Sequence, residues 1–236
     1  MSVERRLESA LTPPFLVGQL SVRKTTADGF VLSNRDDEGR EDLQIFRDSE
    51  DAIEIAKYDD AGRYRPLKTA PNLRRGWQLE LATVEELQRA LDYFYPGRLA
   101  VFAAWKSGRL KTTPLRETLD RQSGMYRVAA NISDPQIDDL VASFCRSDGG
   151  CLRTILWKRD QKNAIASSKL PKQKFDPASD QAARQIETSR CDIRTAQRAL
   201  PASDSLPATV PLLCQEACNL LIAECRKVVK GEDSDL

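Results

Sequence analysis

All six cysteines of this chain fall after residue 144, at Cys145, Cys151, Cys191, Cys214, Cys218 and Cys225, and its 236 residues include no histidine. The missing histidine removes Ser-His-Asp and Cys-His apparatus and every His-ligated zinc, copper, iron or haem site. Acid–base work would fall to Asp, Glu, Lys, Tyr or Cys, and a soft-metal site must be built on thiolates. Glu4, Arg5, Arg6 and Glu8 leave no apolar signal core at the N-terminus, and no apolar run approaches membrane-spanning length. Such a chain is expected in the cytoplasm, where structural disulfides are rare, so the clustered cysteines point to metal binding more than to stapling. With 36 Lys+Arg against 35 Asp+Glu, the net charge of +1 argues against bulk capture of nucleic acid.

Before the cysteines, residues 12–95 read as a small α+β unit. Phe15–Arg23 and Phe30–Ser33 alternate as strands around an Asp28-Gly29 turn. Ser49 is placed to cap a short helix through Ile53 and Ala56. Trp77, Leu79 and Leu81 alternate on one strand face, and Thr83-Val-Glu-Glu86 is a capping box opening an amphipathic helix to about Tyr93. Tyr64, Arg65, Arg74, Arg75 and Trp77 read as packing and solvated surface rather than as a ligand site. From residue 96 to 230 the pattern turns mainly helical. An apolar helix begins at Arg98, Thr113-Pro114 and Ser133-Asp-Pro135 each look like an N-cap with proline in the first turn, and Gly124 is a stop. Residues 158–209 are poor in Ile, Leu and Phe and read as a largely flexible insertion. Cys191 lies within it and is not assigned as a ligand.

Two cysteine pairs form the candidate site. Cys145-Arg-Ser-Asp-Gly-Gly-Cys151 is a C-x5-C loop whose glycines permit a tight turn. The stretch from Pro211 to Cys225 reads as a helix, which would set Cys214 and Cys218 one turn apart on one face. Cys225 would stand roughly 10 Å further along the axis, at 1.5 Å per residue, and belongs in the core with Leu221 and Val228. Structural zinc favours C-x2-4-C knuckles on turns, which these spacings fit loosely. An iron–sulfur cubane takes cysteines from unlike elements, and the spacing favours it. A four-thiolate zinc centre, supporting a protein- or nucleic-acid-binding module, is the alternative. The span Trp105–Arg127 carries Lys106, Arg109, Lys111, Arg116, Arg121 and Arg127 against Glu117 and Asp120. Cations of this kind beside a thiolate-bound cluster would raise its reduction potential.

Several of these stretches carry a resemblance. Arg63–Leu67, Leu73–Trp77, Tyr95-Pro96, Arg121–Arg127 (RQSGMYR), Phe144-Cys145, Gly150–Arg153 and Cys214–Asn219 (CQEACN) resemble the [4Fe–4S] region found C-terminal to small CbiX-type sirohydrochlorin chelatases. In that region an α+β stabilising domain is followed by an iron–sulfur domain. The resemblance covers roughly residues 13–158 and 208–230. It implies a [4Fe–4S] cluster on Cys145, Cys151, Cys214 and Cys218. This sequence starts at the stabilising unit and lacks the histidines on which the chelatase chemistry relies. The expectation is therefore a non-catalytic accessory for electron transfer or redox work in cobalamin or sirohaem metabolism, partnered by a separate chelatase or redox protein. A less favoured reading is an enzyme whose Arg121, Tyr126 and Arg127 hold tetrapyrrole carboxylates beside the cluster.

Overall fold

The computed structural model describes residues 14–99, 101, 104, 110–124, 127–147, 150–170, 208–210 and 212–232. The alternating N-terminal segments form strands β1 (Phe15–Val17), β2 (Leu20–Lys24), β3 (Phe30–Asn34), β4 (Gln44–Phe46) and β5 (Trp77–Leu81). With β10 (Ala208–Val210) they make one sheet in the order β10-β1-β2-β3-β5-β4. The β2–β3 hairpin turns at Asp28, which takes a left-handed φ of 63°. The run expected as one strand over Phe15–Arg23 is broken at Gly18, whose φ is +57°. A Cβ there would stand 2.6 Å from the Tyr95 hydroxyl and 2.9 Å from Leu212 Cδ1, so the position accepts only glycine.

One sheet face buries Val22, Leu32, Leu79 and Trp77 against helices α1 (Asp51–Lys57) and α2 (Val84–Phe94). Thr83 and Glu86 close the expected capping box on α2, and its buried Leu87, Ala90, Leu91 and Phe94 recur at helical spacing. Trp77 stacks on Phe94 at 5.2 Å and donates its indole N–H to the Arg74 carbonyl at 2.6 Å. Truncating such an aromatic costs about 3–5 kcal/mol. Ser49 does not cap α1: the N-cap is Glu50, with no side-chain cap bond, and the buried Ser49 hydroxyl accepts from Arg89.

The second half is mixed in character. Strands β6 (Lys111–Pro114), β8 (Lys158–Arg159) and β9 (Ile165–Lys169) form an antiparallel sheet in the order β6-β9-β8. Helices α3 (Leu115–Gln122), α4 (Val128–Asn131), α5 (Asp134–Ser143) and α6 (Asn219–Lys230) pack with it around Leu119, Ile137, Leu140, Ile165 and Leu221. Two short parallel strands, β7 (Ile155–Leu156) and β11 (Leu212–Leu213), join the halves. The α+β class therefore holds, with more strand in the second half than a mainly helical reading foresees. Thr113 lies in β6, and Pro114 rather than Thr113 is the N-cap of α3.

Residues 158–170 also depart from the flexible insertion expected over 158–209. The Asp160 carboxylate accepts from the Lys162 and Ala164 amides and turns β8 into β9. In β9 the buried Ser167 hydroxyl pairs with that of Thr118 at 2.9 Å, and the Ser168 amide donates to the Cys214 carbonyl at 2.7 Å. A strand that buries serines carries no apolar signature. Residues 171–207, Cys191 included, lie outside the described residues.

Candidate metal centre

Helix α5 is started by the Ser133–Gln136 capping box, with Pro135 in its first turn, and delivers the chain into a 3-10 turn, Phe144–Arg146. Cys145 sits in that turn, buried. The Cys145 carbonyl accepts from Leu152 N at 2.7 Å, and Ser147 O accepts from Gly150 N at 2.7 Å, which folds Cys151 back toward Cys145. A Cβ on Gly150 would lie 2.5 Å from the Cys145 carbonyl oxygen, so this closure needs the glycine. The Cys151 carbonyl then receives Thr154 N and Ile155 N, and β7 follows.

The second pair is built differently from the helix expected over Pro211–Cys225. Leu212 and Leu213 are fully buried in β11, Cys214 follows in an irregular turn, and α6 starts only at Asn219. Cys218 is the N-cap of α6, its sulfur accepting from Leu221 N at 3.3 Å. The Cys214 thiol donates to the Glu216 carbonyl at 3.3 Å. The pairing of β11 with β7 and the bond from Ser168 draw the backbone out straight and override its helical apolar spacing. The two thiols thus come from a strand end and a helix cap. Cys225 is inside α6, wholly buried in the second core beside Leu221, Ile222 and the partly buried Val228, as its spacing suggests.

The two cysteine-bearing segments are drawn together by the β7–β11 pairing, at the seam between two hydrophobic cores. Cys151 and Cys214 belong to the core of the six-stranded sheet, while Cys145, Cys225 and the half-buried Cys218 belong to or pack on the helical core. Electrostatics ties the groups together. Burial first, then the charges of Cys151, Cys214, Cys218 and Cys225, push the Cys145 thiol far above its ordinary value. Burial likewise pushes Cys214 up to about 12, opposed by the Arg98 guanidinium. Cys151 is raised by burial and drawn back by the Thr69 hydroxyl, 2.9 Å from its sulfur, and then by Arg98 and Arg65. Cys218 also acts on Cys151 and on Cys214.

Two arginines shape this seam, and neither lies in the expected cationic span. Arg65 is buried, and its guanidinium donates to Asn72 Oδ1, Ala56 O, Lys68 O and Ala70 O at 2.6–3.0 Å. It thereby fixes the 66–72 loop that presents Thr69 to Cys151. Arg98, half-buried, donates from Nη1 to the Leu213 carbonyl at 2.7 Å, one residue before Cys214. No local sequence signal marks either role, because each contact is set by tertiary folding. Of the expected patch, Arg116 pairs with Asp134, Arg121 and Arg127 are exposed, and Lys106, Arg109 and Tyr126 lie outside the described residues. Arg74 donates to Gln44, Arg75 pairs with Asp60 and Trp77 is core, in keeping with packing and surface roles.

The donor set is chemically suited to iron–sulfur ligation. It is all sulfur, screened from water, and carries hydrogen bonds to sulfur from Thr69 and Leu221 that would persist with thiolates. Burial keeps the Cys145, Cys151 and Cys214 thiols protonated on their own, so a bound cationic core is what would hold them as thiolates. Among the described residues, no three Cys, Asp or Glu side chains are grouped to hold one metal ion. A cluster, which offers a separate iron to each cysteine, makes no such demand.

Comparison with known proteins bears on the same residues. A model of the DR2241 stabilising domain matches residues 5–109, and a model of the 4Fe-4S iron-sulfur cluster binding domain matches residues 107–227, more than half of the chain. The crystal structure of DR2241 from Deinococcus radiodurans, a multi-domain protein with structural similarity to chelatases and two additional novel domains, is 26% identical with a TM-score of 0.65. The match takes in 98% of this chain but 41% of that one, so this chain spans about two-fifths of that protein's length. No curated protein matches.

Proposed function

The chain belongs to the 4Fe-4S iron-sulfur cluster binding domain family, and we propose that Cys145, Cys151, Cys214 and Cys218 are the four thiolates that hold its [4Fe–4S] cluster. The observation that carries this is the parallel pairing of β7 with β11, which sets the segment after Cys151 beside the one before Cys214, so that two cysteine-bearing segments far apart in sequence adjoin. When bound, the cluster supplies one-electron exchange. The chain's own residues do the rest. Thr69 and the Leu221 amide hydrogen-bond to sulfur, Leu212 and Leu213 exclude water, and Arg65 fixes the Thr69 loop. Residues 12–95 act as the supporting unit and 96–230 as the cluster-binding unit.

In this reading the protein is a redox or electron-transfer accessory in tetrapyrrole (cobalamin or sirohaem) metabolism, working beside a chelatase or redox partner. The likeness of part of DR2241 to chelatases, and the resemblance to the region attached to sirohydrochlorin chelatases, support that setting. The absence of histidine favours an accessory over a metal-inserting enzyme. The free thiols suit a reducing compartment such as the cytoplasm.

Protein purified without oxygen is expected to carry roughly four irons and four sulfides per chain, with broad absorption near about 400 nm. Alanine at Cys145, Cys151, Cys214 or Cys218 should abolish iron retention. Cys191→Ala should be silent, and Cys225→Ala should lower stability while keeping iron. A colourless chain with one zinc, or iron kept in the Cys214 variant and lost in the Cys225 variant, refutes the ligand set.

A further inference from the structure

The turn that leads out of the first unit is clamped onto the segment that carries Cys214. Arg98 Nη1 donates to Leu213 O at 2.7 Å, and Gln215 Nε2 returns a bond to Gly97 O at 3.2 Å. Gly97 has a φ of +66°, which lets the chain turn here and bring Arg98 to the seam. The residues whose charge acts on Arg98 are, in order, Cys214, Cys151, Glu216 and Cys218. Among the described residues no carboxylate forms an ion pair with Arg98; the nearby Glu216 accepts from Gln122 at 2.8 Å instead. A cation withdrawn from water needs a counter-charge, and three of the four groups placed to supply one to Arg98 are cysteines, which carry charge only as thiolates.

We infer that Arg98 is the counter-cation of the cluster, a positioning residue whose fixed charge stabilises the reduced state and so raises the reduction potential. This rests on the ligand set proposed above. On reduction one electron arrives from a one-electron donor, no bond is made or broken at the protein, and the net charge of the thiolate-bound core becomes more negative by one. Arg98 cannot lose its proton under these conditions, so it stabilises the more negative state more than the less negative one. Its hydrogen bond to Leu213 O holds the guanidinium in place whichever state is present. The Lys111, Arg121 and Arg127 side chains have no such bond to a ligand-bearing segment among those described.

The test is a redox titration of anaerobically reconstituted chain, with dithionite as donor, on wild type, Arg98→Lys and Arg98→Gln, with iron counted in each. Lysine keeps the charge; glutamine keeps a hydrogen-bond donor and drops the charge. The glutamine variant is expected to hold its iron and shift the oxidised-to-reduced ratio at fixed poise at least tenfold toward oxidised, which is 59 mV for a one-electron couple. Lysine should restore most of the difference. Iron lost from the glutamine variant and kept by the lysine variant also supports the charge role. An unmoved potential in iron-loaded Arg98→Gln, or equal iron loss from both variants, overturns it, the latter by making Arg98 a mere clamp. Wild-type chain without iron refutes the ligand proposal, and this one falls with it.

Discussion

Gly150 is the residue on which the C-x5-C loop closes. Its missing Cβ leaves room for the Cys145 carbonyl at a separation no side chain tolerates. Gly150→Ala is expected to push the two apart, cost about 1–3 kcal/mol in chemical denaturation and impair iron retention. Iron content and stability measured on one preparation check both. Asp59 makes a prediction about acid. Its carboxylate accepts from Arg63 N at 2.8 Å, Ala61 N at 3.0 Å and the Arg63 side chain, which hold its pKa below the ordinary carboxylate value. A group depressed in the folded state adds stability above its unfolded pKa and loses it as pH falls through the folded one. Asp59→Asn should therefore be less stable than wild type at pH 7, and the difference should shrink below about pH 4, read from denaturant midpoints across pH. The thiols show what can be read at this scale. The proposed ligand set is read from cysteine spacing, but Arg98 reaches Leu213 across 115 positions, and no pattern in the chain announces such a contact.

At the scale of elements, local rules succeed where the local signal is redundant. The Thr83–Glu86 and Ser133–Gln136 boxes each combine a cap, its reciprocal partner and an apolar stripe, and both helices begin where those residues put them. Ser133→Ala removes only the cap on α5. It should lower stability by about 1 kcal/mol and leave iron binding intact, since the Cys145 loop is closed by its own bonds at the other end of the helix. Local rules fail at Leu212–Cys218. Leu212, Leu213, Ala217 and Leu221 suit a helical stripe, yet a short buried apolar run suits a strand equally, and pairing with Ile155 decides it. They fail again in β9, where Ser167 is buried with its hydroxyl paired to Thr118 and the Ser168 backbone is tied to Cys214, so a count of large apolar residues sees only linker.

For the whole molecule, the proposed ligands are shared equally between two cores, so metal and architecture are coupled. Removing the cluster under a chelator and reductant should leave each core's secondary structure largely in place by circular dichroism. The melting temperature should fall by several degrees, as expected when a ligand that binds only the folded state is withdrawn. An unchanged melting temperature would mean that the seam holds without it. No helix among the described residues is long and apolar enough to cross a membrane. The edge strand β10 carries a separate consequence. It runs parallel to β1, matching Phe15 with Ala208 and Val17 with Val210, although it is encoded about two hundred residues later. A fragment cut at the junction of the two family matches would bare the backbone amides and carbonyls of β1 along one rim, an invitation to stick to its own copies. The first unit is thus finished only when the last part of the chain has been made, and evolutionary modules and folding modules here have different borders.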